Sequence, residues 1–163
     1  MEGVDLCIKL IHEPIMDKYW PLFDAAVKKR DSLPRGSQAA HDAQEEVTKC
    51  YDLMYSEGYF RDGDTSSSVL WALGLSWWRD VSPLCNERGD LEKENLRKFR
   101  EMVAAANQWL PSRRQLRKHG ARVEETGDNS LEEWHKYYHE KRQRLLAFLD
   151  RAIQLNTAVH CSM

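Results

Sequence analysis

Apolar residues recur along this chain mostly at helical spacing, and glycine and proline punctuate the helices that they predict. The breaks fall at Pro34 and Gly36, at Gly58 and Gly63, at Pro83 and Gly89, at Pro111, and at Gly120 and Gly127. Between them lie helix-length segments rich in Ala, Leu, Glu, Lys and Arg, all good helix formers. Residues 14–30 read as a helix that Pro21 interrupts or restarts. Ser37 is the N-cap of a second helix, whose stripe is Ala40, Ala43, Val47, Cys50, Tyr51 and Met54, and Gly58 ends it. A third helix starts within residues 65–68 and runs to about Trp78. A fourth starts near Asp90, with Glu92 and Glu94 in a first turn that favours acids. Its residues Leu96, Phe99, Val103, Ala106 and Leu110 make a 3-4-3-4 seam that Pro111 stops. Ser130, Leu131, Glu132 and Glu133 have the form of a capping box and open a last helix to about Asn156. Trp134, Tyr138, Leu145, Phe148, Leu149, Ala152 and Leu155 share one wide face of it. Glu132 with Lys136 and Glu140 with Arg144 are i,i+4 ion pairs on the other side.

Two stretches depart from this pattern. Val4, Leu6, Ile8 and Leu10 alternate as a strand would, but no pairing partner is visible elsewhere, so residues 1–13 read as an extended arm or an early helix. Residues 69–78 (V-L-W-A-L-G-L-S-W-W) are apolar on all sides, which makes the third helix the natural centre. The expected fold is an all-α single domain over residues 1–163, an irregular four- to five-helix bundle around a central apolar, Trp-rich helix.

The length of 163 residues suits one domain with a sizeable core. A net charge of -2 gives no global field that would favour nucleic acid or membrane. Cys7, Cys50, Cys85 and Cys161 form no CxxC pair and match no zinc spacing, so they read as reduced thiols in a cytoplasmic protein. The first residues carry acids where a secretory signal carries bases. No stretch approaches the roughly 20 apolar residues of a membrane span.

The aromatic cluster is the leading candidate site. The six tryptophans are Trp20, Trp71, Trp77, Trp78, Trp109 and Trp134. Trp71, Trp77 and Trp78, with Tyr55 and Tyr59 upstream, either pack a core or line a ligand or partner surface. Trp77 and Trp78 point about 100° apart on a helix, so both can hardly face one core. One of them then reaches a second neighbour, an interface or a pocket rim, and its indole N–H needs an acceptor.

Two other constellations carry weaker chemistry. His41 lies on the second helix, and His135 and His139 sit four apart on the last. This layout resembles the DinB/YfiT-like four-helix proteins, which bind metal through three histidines, one on an early helix and two on the last. The resemblance implies a divalent transition metal on His41, His135 and His139, and a metal-dependent enzyme. Helical phase points the other way: His135 and His139 lie about 90° and about 130° from the centre of their helix's apolar arc. Arg113, Arg114, Arg117, Lys118 and His119 form the strongest local charge cluster, a candidate phosphate or nucleic-acid contact. Arg114 and His119 are also similar to the R-x4-H spacing of HEPN ribonucleases, which implies RNA binding or cleavage. Asp62, Gly63 and Asp64 resemble the start of a calcium loop, but Ser67 and Leu73 stand where its glycine and glutamate belong. No nucleophile elbow, P-loop or dinucleotide fingerprint is present. The expected function is a non-catalytic binding or self-association module using its aromatic surface. No cofactor is expected, and the partner is a protein or a second copy.

Overall fold

Residues 3–8 begin as a strand, and the alternation of Val4, Leu6 and Ile8 sets its inward face. The computed structural model describes residues 3–106 and 110–162. Strand β1 (Val4–Ile8) buries those three residues and leaves Asp5 and Cys7 half-buried. It runs directly into α1 (Lys9–Asp31), then α2 (Gln38–Met54), β2 (Tyr59–Asp62), the short α3 (Val69–Ala72), β3 (Asp90–Leu91), α4 (Lys93–Ala105), α5 (Arg113–Lys118), α6 (Leu131–Gln154) and β4 (Val159–Ser162). The strands form one antiparallel sheet in the order β2-β1-β4-β3. Asp90 pairs with His160 and Leu91 with Val159.

The fold is therefore mixed α/β, which corrects the expected all-α bundle. The alternation at the N-terminus was a true strand signal. Its partners went unseen because they are short: β2 and β4 have four residues each, and β4 follows closely on a long helix. Asn156 makes that helix-to-strand reversal in the left-handed region at φ 49°, with Asn156 N donating to Ile153 O (3.0 Å) and Thr157 N to Ala152 O (3.2 Å).

The central Trp-rich helix is also corrected. Its segment starts as a 3-10 turn (Thr65–Ser67), continues as the single turn α3, and resumes as a π-helical turn (Trp77–Val81). Gly74 breaks it at φ 72°. Gly74 N bonds Trp71 O (3.0 Å) and Leu75 N bonds Leu70 O (2.9 Å), the paired bonds of a helix-ending motif that needs a left-handed residue there.

Smaller differences follow local chemistry. Pro21 does not interrupt α1. Pro21 and Asp17, whose carbonyl loses its helical donor, are both exposed, so water can satisfy that oxygen. The fourth helix starts at Lys93, since Asp90 is already committed to the sheet. Ser130 Oγ caps Glu133 N (3.3 Å) without the reciprocal arm, because the Glu133 carboxylate pairs with Lys136 (3.8 Å). The reciprocal capping box forms instead at Ser112 and Gln115, where Ser112 N donates to Gln115 Oε1 (2.8 Å).

The chain forms two compact units. One comprises Met1–Cys7 with Phe60–Met163, and the other Ile8–Tyr59. In the first, Leu91, Leu96, Phe99, Val103, Leu145, Leu149 and Val159 are buried beneath the sheet strands and helices they come from. Ala72, Leu116, Val123 and Tyr138 make a second cluster, with Trp71 and Trp134 packed against it. The other unit is an antiparallel hairpin of α1 and α2. Its buried positions include Ala26, Ala43 and Val47, small residues that let the helices approach closely. No helix among the described residues is long and apolar enough to cross a membrane.

Candidate functional site

The most organised polar cluster lies inside the larger unit, on the carboxylate of Asp62 at the end of β2. Asp62 is fully buried. Its Oδ2 accepts from Ser68 Oγ (2.6 Å), Trp77 Nε1 (2.8 Å) and Leu70 N (3.5 Å), and its Oδ1 from Val69 N (2.8 Å). Lys141 of α6, itself 5% exposed, completes the set at 3.0 Å. The same ammonium donates to Ser67 O (2.7 Å) and Tyr137 Oη (3.1 Å). Its three protons thus have three acceptors. Tyr137 Oη donates to Ser67 O (3.0 Å), and Tyr138 Oη to Ser66 O. Burial, with the nearby Tyr137 and Asp62, pushes the Tyr138 phenol well above its ordinary pKa and keeps it a donor.

Every proton of this node has an acceptor and both oxygens of Asp62 are engaged, so the carboxylate and the ammonium are taken up within the fold. Its chemistry is positional. The carboxylate caps the first N–H groups of α3, and Lys141 and the tyrosines hold the carbonyls of the 3-10 turn. The sequence asked for an acceptor at the indole that leaves the core, whereas the acceptor found here serves the buried Trp77. Asp62, Ser68 and Lys141 were missed as a set, because Lys141 sits among exposed charges on the same helix and a buried lysine has no sequence signature.

The candidate aromatic residues occupy different environments. Trp77 is buried against Phe99 (ring centroids 5.4 Å). Its neighbour Trp78 is 55% exposed, beside an Arg79–Asp80 pair at 2.7 Å. Trp71 packs edge-on to His119 (4.8 Å) and Tyr138 (6.5 Å). Trp109 lies outside the described residues. Tyr55 and Tyr59 belong to the hairpin unit, in a continuous ladder of rings. Trp20 meets Phe23 (5.7 Å), Phe23 meets Tyr51 (6.4 Å), Tyr51 meets Tyr55 (4.7 Å), and Tyr55 meets Tyr59 (4.6 Å). His12 stacks on Tyr59 at 6.1 Å.

The ladder opens to solvent at Trp20 and Tyr51, which are 53% and 46% exposed. Leu22, also more than half exposed, lies two positions from Trp20 and points about 200° away. It lines a shallow groove of about 440 Å³ with Tyr19, Ala26, Cys50 and Leu53. Burial lowers the His12 pKa, opposed by its hydrogen bond to the Glu57 backbone, and His12 Nδ1 is buried with no partner.

The histidines and bases are dispersed. His135 Nε2 lies 2.9 Å from Pro111 O, and His139 Nε2 lies 3.2 Å from Gln143 Nε2. His41 is an exposed residue lining a cavity of about 510 Å³ at the hairpin turn. Among the described residues, no group of three or more His, Cys, Asp or Glu is placed to hold a metal ion. On α5, Arg113, Arg114 and Lys118 are exposed, and Arg117 donates to Val123 O (3.0 Å). His119 caps α5 against Trp71. Compared with known protein families, curated proteins and solved structures, the chain has no match.

Proposed function

We propose that this chain is a non-catalytic self-association module, and that the aromatic face of the α1–α2 hairpin pairs with the same face of a second copy. The observation that carries this reading is the ring ladder from Trp20 to Tyr59, which is open to solvent at its Trp20 end and at Tyr51 along its length. Aromatic rings of that kind are the usual anchors of an interface.

Charge permits a copy of the same chain as the occupant. The basic last turn of α1 is paired within the chain: Lys28 with Asp24 (2.6 Å), Lys29 with Glu46 of α2 (3.0 Å) and Arg30 with Asp31 (2.7 Å). An isologous two-fold pairing therefore brings no bare cationic patch against its own copy. The area is sufficient. A face two helices wide and about 26 Å long offers about 500 Å². Two such faces bury about 1,000 Å², the lower bound for a specific interface. The free thiols suit a reducing, cytoplasmic setting.

Light scattering after gel filtration tests the reading. The wild-type chain of 19.1 kDa is expected to run as a dimer. The double variant Trp20→Glu, Tyr51→Glu is expected to run as a monomer with an unchanged circular dichroism spectrum. A wild-type monomer at every concentration contradicts it.

A further inference from the structure

After the 3-10 turn Ser82–Leu84 the chain makes a tight loop before β3. Asn86 N donates to Asp90 O (2.9 Å), and Asn86 Oδ1 accepts from Arg88 N (2.9 Å) and Asp90 N (3.0 Å). The loop lies against β4, where Gly89 O accepts Cys161 N (2.9 Å). A side chain at Gly89 would press on Cys161 O at 3.0 Å from a backbone at φ 80°, so the approach depends on glycine. Asp90 is held again by His160 Nδ1 (2.8 Å). This fastening carries Cys85, at the head of the loop, to the inward side of β4. There Cys161, on the strand that bonds to Gly89, comes near enough to Cys85 for the two thiols to influence each other. Both thiols are free, Cys85 half-buried and Cys161 buried. Cys85 Sγ also lies 3.7 Å from Val81 O.

We propose that Cys85 and Cys161 are a redox dithiol pair, in which Cys85 attacks a low-molecular-weight disulfide such as oxidised glutathione and Cys161 resolves the product into an internal disulfide. In the first step the Cys85 thiolate attacks one sulfur of the small disulfide. That S–S bond breaks, a mixed disulfide forms on Cys85, and one small thiolate leaves and takes up a proton. In the second step Cys161 loses its proton to solvent and attacks the Cys85 sulfur. The protein S–S bond forms, and the second small thiol leaves. The two cysteines lose two electrons together, and the small disulfide is reduced to two thiols. The new bond would tie the loop that feeds β3 to the C-terminal strand.

The order of attack follows from exposure, since Cys85 is half-buried and within reach of a small disulfide while Cys161 is buried. The interaction with Cys161 lowers the Cys85 pKa against the opposing effect of burial. The same interaction and burial raise that of Cys161. Cys7 on β1 is pushed up to about 11 by burial and then by Asp5, which leaves it a poor competitor.

The test incubates the full-length protein with oxidised glutathione, alkylates the remaining thiols, and reads intact mass and tryptic peptides. The expected product lacks two hydrogens, keeps Cys7 and Cys50 alkylated, and yields one cross-linked pair containing Cys85 and Cys161. Cys161→Ala is expected to stop at a glutathione adduct on Cys85. Cys85→Ala is expected to react at least about tenfold more slowly and to form no internal bond. A lasting adduct on Cys85 of the wild type, a link through Cys7 or Cys50, or no oxidation of the folded chain overturns the proposal. The wild-type peptide map decides this even if a variant fails to fold.

Discussion

The Asp62 node and the aromatic hairpin spend similar side chains in opposite ways. In the node, a carboxylate, an ammonium, an indole and the Tyr138 phenol are buried, the Tyr137 phenol is half-buried, and each of their protons has an acceptor. In the hairpin, an indole and phenols form a ladder that lies open to water at Trp20 and Tyr51. Buried polar groups with every bond filled fix one conformation and offer nothing to a ligand. Exposed apolar rings are the reverse, since they cost little locally and gain by being covered. Organisation alone therefore does not mark the working surface of this chain.

The sharpest way to break that contrast is to empty the node. Asp62→Ala leaves the Lys141 ammonium buried without its counter-ion and uncaps α3, and is expected to cost about 3–5 kcal/mol in urea unfolding. Lys141→Met should cost less, because Asp62 keeps Ser68, Val69 and Trp77 as donors. Equal losses from the two would show that the pair, rather than the carboxylate, holds the segment.

The adjacent tryptophans give the next largest effect. Trp77→Phe removes one hydrogen bond to a charged acceptor and is expected to cost about 1.5–3 kcal/mol. Trp78→Phe, on an exposed ring, should stay within about 0.5 kcal/mol. Similar losses at both positions would mean that the burial difference carries no energetic weight.

The smallest effect is a pH dependence in the hairpin. Burial depresses the His12 pKa, so the folded chain binds this proton less readily than the unfolded chain. The His12 contribution is then complete above its ordinary value of about 6.5 and is lost as pH falls through the lower folded value. Thermal melts of wild type and His12→Phe are expected to diverge over that window, with the wild type alone losing melting temperature. Parallel curves would remove the histidine from the account.

How much of this was legible depends on the range of each signal. Helices α2, α4 and α6 were readable because their stripes are local, and Ser37 and Ser130 do cap α2 and α6. The sheet was not, since β1 pairs with segments far along the chain and β3 and β4 carry too few residues to show a period. The 65–81 region failed differently. Its apolar run was real, but Gly74 outweighed it, and burial there is achieved by turns rather than by one helix. That Trp77 and Trp78, one buried and the other exposed, do not share one core followed from spacing alone. The partner of the buried indole did not, because Asp62 lies on a strand that the alternation of residues 59–62 barely signals.

The central claim is that the open end of the ring ladder is covered by a second copy while the node is inert. Hydroxyl-radical footprinting at low and high protein concentration tests it directly, because it reads side chains. Oxidation of Trp20 and Tyr51 is expected to fall as concentration rises, with Trp78 reactive and Trp77 protected throughout. If Trp20 and Tyr51 stay as reactive as Trp78 at every concentration, or if Trp78 alone becomes protected, the hairpin is not the associating surface.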